Sequence, residues 1–288
     1  DIVVLDPRTG ELLALASRQT VDGKRVASKA SFFTDPFEPG STAKLFSAGA
    51  LLSLRRVKST DQVNAENGLW QMQVNSRGET RSIHDAHPTN GSLTLADAIK
   101  VSSNIAMGKF SDRLTAVEQY EALRDFGFGS PTGVEFPSES RGSLRLPDQW
   151  NMFSKPSIAM GYEFEVTPVQ LAAAYATIAN RGILLTPTLV REIRDEKGRV
   201  VYRHRPEPVR RAVSPEVADT LLDYLHRVVG RGGTAEAAQL ANWVLVGKTG
   251  TAIRHDGGAY QAGHYTASFA SIFPLEDPQL VVVVKIDD

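Results

Sequence analysis

The sequence predicts an α+β fold, in which an antiparallel sheet joins both ends of the chain and helices fill the middle. Three observations predict it. The opening residues, DIVVLDPRTGELLALAS, are two apolar runs around a turn. The closing residues, HYTASFASIF and QLVVVVKID, are two more around PLEDP. Between them nearly every long pattern repeats with the helical period rather than the strand period. Strands first, helices next and strands last describe one domain closed through its termini, residues 1–288, rather than two domains in series.

The elements follow in order. In the first hairpin Pro7 pre-sets φ and Gly10 takes the backbone conformation that other residues resist. Helices are predicted over residues 41–54, 94–114, 116–127, 167–182 and 214–229. Thr167 with Pro168 supplies an N-cap and a first helical position, Gly182 ends that helix, and Ser214 with Pro215 repeats the device. The stretch RHDGGAYQAGH, residues 254–264, reads as a glycine-bearing loop that moves over a cleft.

Composition narrows the classes of function. A net charge of −1 gives no reason to expect nucleic acid or an anionic membrane as partner. The basic run YRHRPEPVRR at 202–211 holds two prolines and reads as a solvated loop. The absence of cysteine excludes disulfides and thiolate metal sites, and leaves the redox compartment open. No apolar stretch is long enough to span a membrane, and DIVVLD reads as a strand rather than a signal sequence. In HDAH, His84 and His87 have a metal-like spacing, but no third ligand accompanies them, so a polar loop is expected, with no metal and no cofactor.

Three short motifs carry chemistry: STAK at Ser41–Lys44, SSN at Ser102–Asn104, and KTGT at Lys248–Thr251. The first two recur by chance in chains of this size. A KTG triplet is expected in fewer than about one chain in ten, and this one sits where the apolar strand NWVLVG ends. A serine hydroxyl is a poor nucleophile until a base takes its proton. Helical spacing puts Lys44 on the same face as Ser41, and Leu45, Phe46, Ala48, Ala50 and Leu51 would desolvate its amine.

Desolvation disfavours the ammonium form, and a second cation nearby, expected to be Lys248, lowers the lysine pKa further, which leaves a neutral amine able to act as general base. Ser41 near a helix start would have its developing charge favoured by the helix dipole. Its own N–H would form half of an oxyanion hole, with Thr251 N–H on a strand edge as the other half. Without the other motifs, Lys44 would read as a lysine whose stem packs on the core and whose head reaches water.

These motifs in this order resemble the serine β-lactamases and penicillin-binding proteins. The wider text is similar to the transpeptidase domain of class B penicillin-binding proteins, of the septal type more than the elongation type. The matching stretches are VVLDPRTGELLALAS, SLTLADAIKVSSN, FGFGSPTGVEFPSES with Trp150 following, MGYEFEVTPVQLAAAYATIANRG, GGTA, and VGKTGTA with ASFASIFP. Together they cover essentially the whole chain.

The resemblance implies a penicilloyl-serine transferase fold, an antiparallel sheet flanked by helices beside a helical subdomain, with the site between them. It implies a peptidoglycan D,D-transpeptidase that is acylated by β-lactams. Ser41 is then the nucleophile, Lys44 the base, and Ser102 a proton relay, while Asn104 holds Lys44 and the substrate amide. Lys248 supplies positive potential, the Thr249 and Thr251 hydroxyls bind a carboxylate, and Gly250 allows close approach; Ser103 has no assigned chemistry.

Implied partners are stem peptides ending in D-Ala-D-Ala, β-lactams, and a membrane glycosyltransferase working beside the full-length protein outside the cytoplasm. The family's membrane anchor, N-terminal pedestal and C-terminal helix have no counterpart in this text, so an exposed sheet face is expected. A D,D-carboxypeptidase, a β-lactamase using a base such as Glu135, Glu139, Glu163 or Glu165, and a non-catalytic β-lactam sensor are the alternatives on the same fold.

Overall fold

The computed structural model describes residues 1–288 apart from 22, 23, 27, 28, 74–78, 257 and 258. Its central sheet has five strands: β1 (Ile2–Leu5), β2 (Leu12–Ala16), β3 (Val246–Asp256), β4 (Ala259–Phe273) and β5 (Leu280–Asp287), in the spatial order β3-β4-β5-β1-β2. The strand expectations hold: β1 pairs antiparallel with β2, β4 with β5, and β5 with β1, so the two ends of the chain lie side by side. The first turn closes with Gly10 N–H donating to Asp6 O at 2.9 Å, and Gly10 has φ +78°.

Alternation along β1 and β5 sorts their side chains. Val3, Leu5, Val281 and Val283 are buried, while Ile2 and Ile286 on the opposite face are 43% and 63% exposed. Burying each of those four side chains is worth about 1.5–3 kcal/mol, against about 1 kcal/mol net for a hydrogen bond, so packing more than pairing holds the termini together. Among the described residues there are eight α-helices, the four-residue Ser31–Thr34 and then α1 (Lys44–Ser53), α2 (Leu95–Lys100), α3 (Asn104–Ser111), α4 (Ala116–Asp125), α5 (Ser154–Met160), α6 (Pro168–Ala179) and α7 (Pro215–Val229).

Helix α6 is apolar all round, as a helix sandwiched in a core must be, and it packs on β1, β4 and β5 beneath the sheet. The Thr167 hydroxyl accepts from Gln170 N–H, and the Gln170 side chain accepts from Thr167 N–H, a full capping box. Ser214 caps α7 in the same way through Val217 N–H. Phe46 of α1 meets Phe126, Phe128 and Tyr175 in edge-on or tilted contacts, so the nucleophile-bearing helix is seated in an aromatic core.

Three expectations need correction. The basic run 202–211, expected as a solvated loop, is strand at both ends: Val200–Arg203 pairs antiparallel with Glu192–Arg194, and Pro208–Arg211 with Ile183–Leu185. The helix predicted over 94–114 is two helices, α2 and α3, broken at Val101–Ser103. The apolar period runs through the break, but Ser103 turns aside to cap α3, accepting from Ala106 N–H at 3.0 Å. The segment 254–264 is not a loop: β3 and β4 pair through it, with His255 opposite Tyr260 and Asp256 opposite Ala259. Tyr260, Gln261 and His264 are exposed, so they follow no buried-face alternation that the sequence could show. Gly257 and Gly258 lie outside the described residues.

Candidate active site

The nucleophile's turn is set by main chain. Phe37 and Val166 exchange N–H···O bonds at 3.0 and 2.9 Å, and Gly40 N–H donates to Gly161 O at 3.0 Å. Gly40 has φ +53° and Gly161 φ +95°, and a Cβ on Gly161 would lie 1.8 Å from Gly40 O, so nothing larger than glycine fits there. Residues Gly40–Ala43 then make one 3-10 turn, capped by Lys44 N–H donating to Ser41 O, before α1 begins at Lys44. Side chains three apart eclipse in a 3-10 turn, which stacks Lys44 behind Ser41. Beneath it, the Thr42 hydroxyl donates to Pro39 O at 2.7 Å and Tyr175 Oη donates to Thr42 O at 2.9 Å.

Lys44 is fully buried, and the five residues expected to desolvate it, Leu45, Phe46, Ala48, Ala50 and Leu51, are buried as well. Its Nζ reaches across to the break between α2 and α3, donating to Ser102 O at 2.5 Å and to Ser102 Oγ at 3.2 Å. Lys248, also fully buried, donates from the other side to the same Oγ at 2.9 Å. One hydroxyl therefore stands between two lysines.

Ser102 has φ +61°, a left-handed conformation that costs a non-glycine residue about 1–3 kcal/mol and persists only where its surroundings enforce it. Asp85 does the enforcing. Its Oδ2 accepts from Ser103 Oγ at 2.6 Å, and its Oδ1 accepts from Asn104 N–H at 2.5 Å and Ile105 N–H at 3.0 Å. A buried carboxylate thus satisfies the first free N–H groups of α3 and pins the residues that follow Ser102.

Strand β3 brings in the third motif along the sheet edge. A Cβ on Gly250 would come within 2.9 Å of Pro39 O and 3.0 Å of the Thr42 methyl, so glycine is what lets the strand lie against the nucleophile's turn. On the other side of that contact, Thr251 O lies 3.1 Å from where a Cβ on Gly40 would sit. Lys248 Nζ also donates to Thr249 O at 3.2 Å, and the Thr249 hydroxyl lies 3.2 Å from that of Thr234.

Electrostatics follow from burial. Desolvation foremost, then the nearby Lys248 charge, holds Lys44 well below the ordinary lysine range, while Asp85 pulls weakly the other way. Burial alone lowers Lys248 to about 7. Near neutral pH the pair can supply a free amine on one side of Ser102 Oγ and a positive charge on the other.

The comparisons with known proteins bear on this geometry. The model of the penicillin binding protein transpeptidase domain matches residues 2–288. The chain belongs to that family. PbpB of Mycolicibacterium smegmatis is 31% identical over 300 residues, covering 99% of this chain and 45% of that protein. A Pseudomonas aeruginosa protein named as a probable peptidoglycan D,D-transpeptidase, PbpC, is 31% identical, covering 99% and 48%. The transpeptidase domain thus spans about half the length of the curated relatives it matches.

Among solved structures, penicillin-binding protein 3 of Mycobacterium tuberculosis complexed with aztreonam superposes with a TM-score of 0.87 at 30% identity, over 100% of this chain and 66% of that one. The apo transpeptidase domain of Burkholderia pseudomallei penicillin-binding protein 3 gives 0.83 at 30% identity, over 99% and 79%.

Within the transpeptidase domain Lys44 and Lys248 meet at Ser102, and Gly250 and Thr251 lie against the turn at 39–42 that carries Ser41. Asn104 differs from the expectation that it holds Lys44: its side-chain amide donates to His84 O at 2.8 Å, while the Lys44 amine bonds Ser102. Three contributors were missed by sequence reasoning. Gly161 and Thr234 lay inside stretches quoted only for their resemblance, and Asp85 lay inside HDAH, where the histidines drew attention. His84 and His87 are exposed, and among the described residues no three His, Cys, Asp or Glu side chains gather as a metal site.

Three of the four glutamates considered as a deacylating base accept hydrogen bonds elsewhere. Glu135 accepts from Thr188 Oγ1 and Leu189 N–H, Glu139 from Thr132 and Gly133, and Glu163 from Arg145 and Ser154. Glu165 sits on a two-residue strand opposite Ser143.

Proposed function

We propose that the domain is a peptidoglycan D,D-transpeptidase working through an acyl-serine, and that β-lactams acylate the same serine. The observation that carries this is the Ser102 hydroxyl held between the two buried lysines, one of them a 3-10 turn behind Ser41. Neutral Lys44 takes the proton as Ser41 Oγ bonds to the carbonyl carbon of the penultimate D-Ala. The developing oxyanion is met by N–H groups of Ser41 and Thr251, aided by the edge position of β3. The C–N bond then breaks, and the proton passes from Lys44 through Ser102 Oγ to the departing D-Ala amine. An acceptor amine attacks the ester, gives up its proton along the same path, and Ser41 is restored.

Lys248 and the Thr249 and Thr251 hydroxyls take the substrate's terminal carboxylate, charge and hydroxyl donors being what a carboxylate needs. Asn104, on the opposite wall, serves the substrate amide. The stem peptides place this activity outside the cytoplasmic membrane, beside a membrane glycosyltransferase that makes the strands to be joined. Relatives named for sporulation, such as the Bacillus subtilis stage V sporulation protein D, favour a division-type role. Among the described residues no helix is long and apolar enough to cross a membrane.

A fluorescent penicillin tests the reading. Label that persists for hours and vanishes in Ser41→Ala is expected; fast release with turnover would make the protein a β-lactamase, and no label at all would end the active-serine proposal. Incubation with stem pentapeptide and an amine acceptor then separates crosslinked product from the hydrolysed product of a carboxypeptidase.

A further inference from the structure

We propose that the hairpin at 192–203 is a docking edge for a partner protein, which adds an extended segment of alternating acidic and apolar residues as a third strand beside Val200–Arg203. Charge is the first sign: residues 181–211 hold nine lysines and arginines against four acids, a surplus of five on a chain whose net charge is −1. The hairpin is built before any partner arrives. Asp195 closes its turn, with Oδ1 accepting from Lys197 N–H and Arg199 N–H at 2.9 Å each, and Gly198 takes φ +74°. At the base His204 N–H donates to Arg191 O at 2.9 Å, and the ring nitrogen Nε2 of His204 lies 2.8 Å from Thr9 O, which ties the hairpin to the first turn of the chain.

What the hairpin leaves open is one edge and an apolar surface. Among the described residues Val200–Arg203 pairs with Glu192–Arg194 alone. His204 N–H points into the ladder, so the main-chain groups of Arg203, the preceding residue, point out of it toward no other strand. Ile193 and Tyr202 stand opposite each other in the register, 51% and 44% exposed, and Val201 is 63% exposed. A two-stranded hairpin that keeps such side chains in water gains little from packing, and a third strand would cover them.

The charges around these side chains select the partner. Glu192 is shared by Arg194 and Arg203, and Asp195 is taken by Arg199. Lys197 and Arg205, at the turn and at the base, are exposed and form no ion pair among the described residues. Acidic side chains on an added strand thus meet positive charge at both ends of the hairpin, and apolar ones meet Ile193, Val201 and Tyr202 between them. A second copy of this chain fits badly, because pairing this edge with itself sets arginine against arginine. A polyanion without apolar groups would answer the charge and leave the apolar side chains in water.

The test titrates the protein with a short peptide alternating valine and glutamate, a peptide of the same composition with its valines and glutamates in separate blocks, and linear polyphosphate. The alternating peptide is expected to bind at least about tenfold more tightly than the blocked one, and to slow amide exchange at Arg203 about tenfold once free peptide reaches about ten times its Kd. Combining Lys197→Glu with Arg205→Glu should weaken its binding by about tenfold, and Ile193→Ser by about fivefold, with unchanged thermal melts showing that both variants fold. Equal affinity for the two peptides, polyphosphate that displaces the alternating peptide at matched charge, or binding without protection at Arg203 would make this a general anion surface and overturn the proposal. So would the absence of binding by the alternating peptide up to about 1 mM.

Discussion

Lys44 and Lys248 reach the same oxygen: Ser102 Oγ lies 3.2 Å from the first ammonium nitrogen and 2.9 Å from the second. Two full charges so close, both out of water, repel strongly, so the stable state near neutrality has one of them neutral. The titration belongs to the pair.

Acylation by a carboxylate-bearing penicillin should therefore follow a bell-shaped pH profile. Its acid limb appears as Lys44 gives up its proton, well below the usual lysine range, and its basic limb as Lys248 loses the charge that attracts the carboxylate, above about 7. Lys248→Met removes a cation that holds the Lys44 pKa down, so the acid limb should shift to higher pH. A limb that stays in place would show that the two do not interact.

Stability should move with pH in a defined direction. Lys248 titrates at about 7 when folded and near 10.5 when exposed, so between those values the unfolded chain holds a proton that the folded chain lacks. Stability then rises as pH climbs from about 7 toward 10.5, and Lys44 adds a contribution of the same sign. Denaturant titrations of wild type and Lys248→Met across this window should show a steeper rise in wild type.

Lys44→Ala should reduce the acylation rate by about 10²–10⁴, the usual worth of a general base. Part of that loss should return at high pH, where hydroxide takes over the proton. Near-normal acylation at neutral pH would remove Lys44 from the role of base.

Asp85→Ala should cost of order 3 kcal/mol in chemical denaturation, because Ser103 Oγ–H and the N–H groups of Asn104 and Ile105 lose their acceptor together. The folded fraction should also label more slowly with penicillin, since Ser102 is no longer held. Asp85→Asn keeps one acceptor oxygen and should fall between. An alanine variant with wild-type stability and labelling would refute the positioning role.

Gly161→Ala should destabilise by more than about 2 kcal/mol, combining a strained φ with a clash against Gly40 O. The nucleophile's turn must shift to admit the methyl, so penicillin labelling should fall in the protein that remains folded. Gly91→Ala is the control, with φ +87° but nothing within 4 Å of the added Cβ.

The sheet was legible because its strands are local patterns: IVVL and LVVVVKID announce themselves, and the caps at Thr167 and Ser214 are written beside their helices. The site was legible as three motifs because each holds its reactive groups a few residues apart. What stayed hidden was whatever acts across distance in the chain. Asp85 sits 18 residues from Ser103 yet breaks the helix predicted through it. The arm at 254–264 read as a loop because its pairing partner, not its own pattern, makes it strand. The Asn104 amide bonds His84 O across 20 residues, a contact no motif records.

Gly40, Gly161 and Gly250 have one further consequence. The serine's position is stored in peptide atoms, which every residue possesses, and three positions demand only that a side chain be missing. A lineage can exchange most of its surface and much of its core without moving the nucleophile, provided those three hydrogens stay hydrogens. For the same reason, a variant selected to evade an inhibitor has little room to retreat at the serine itself.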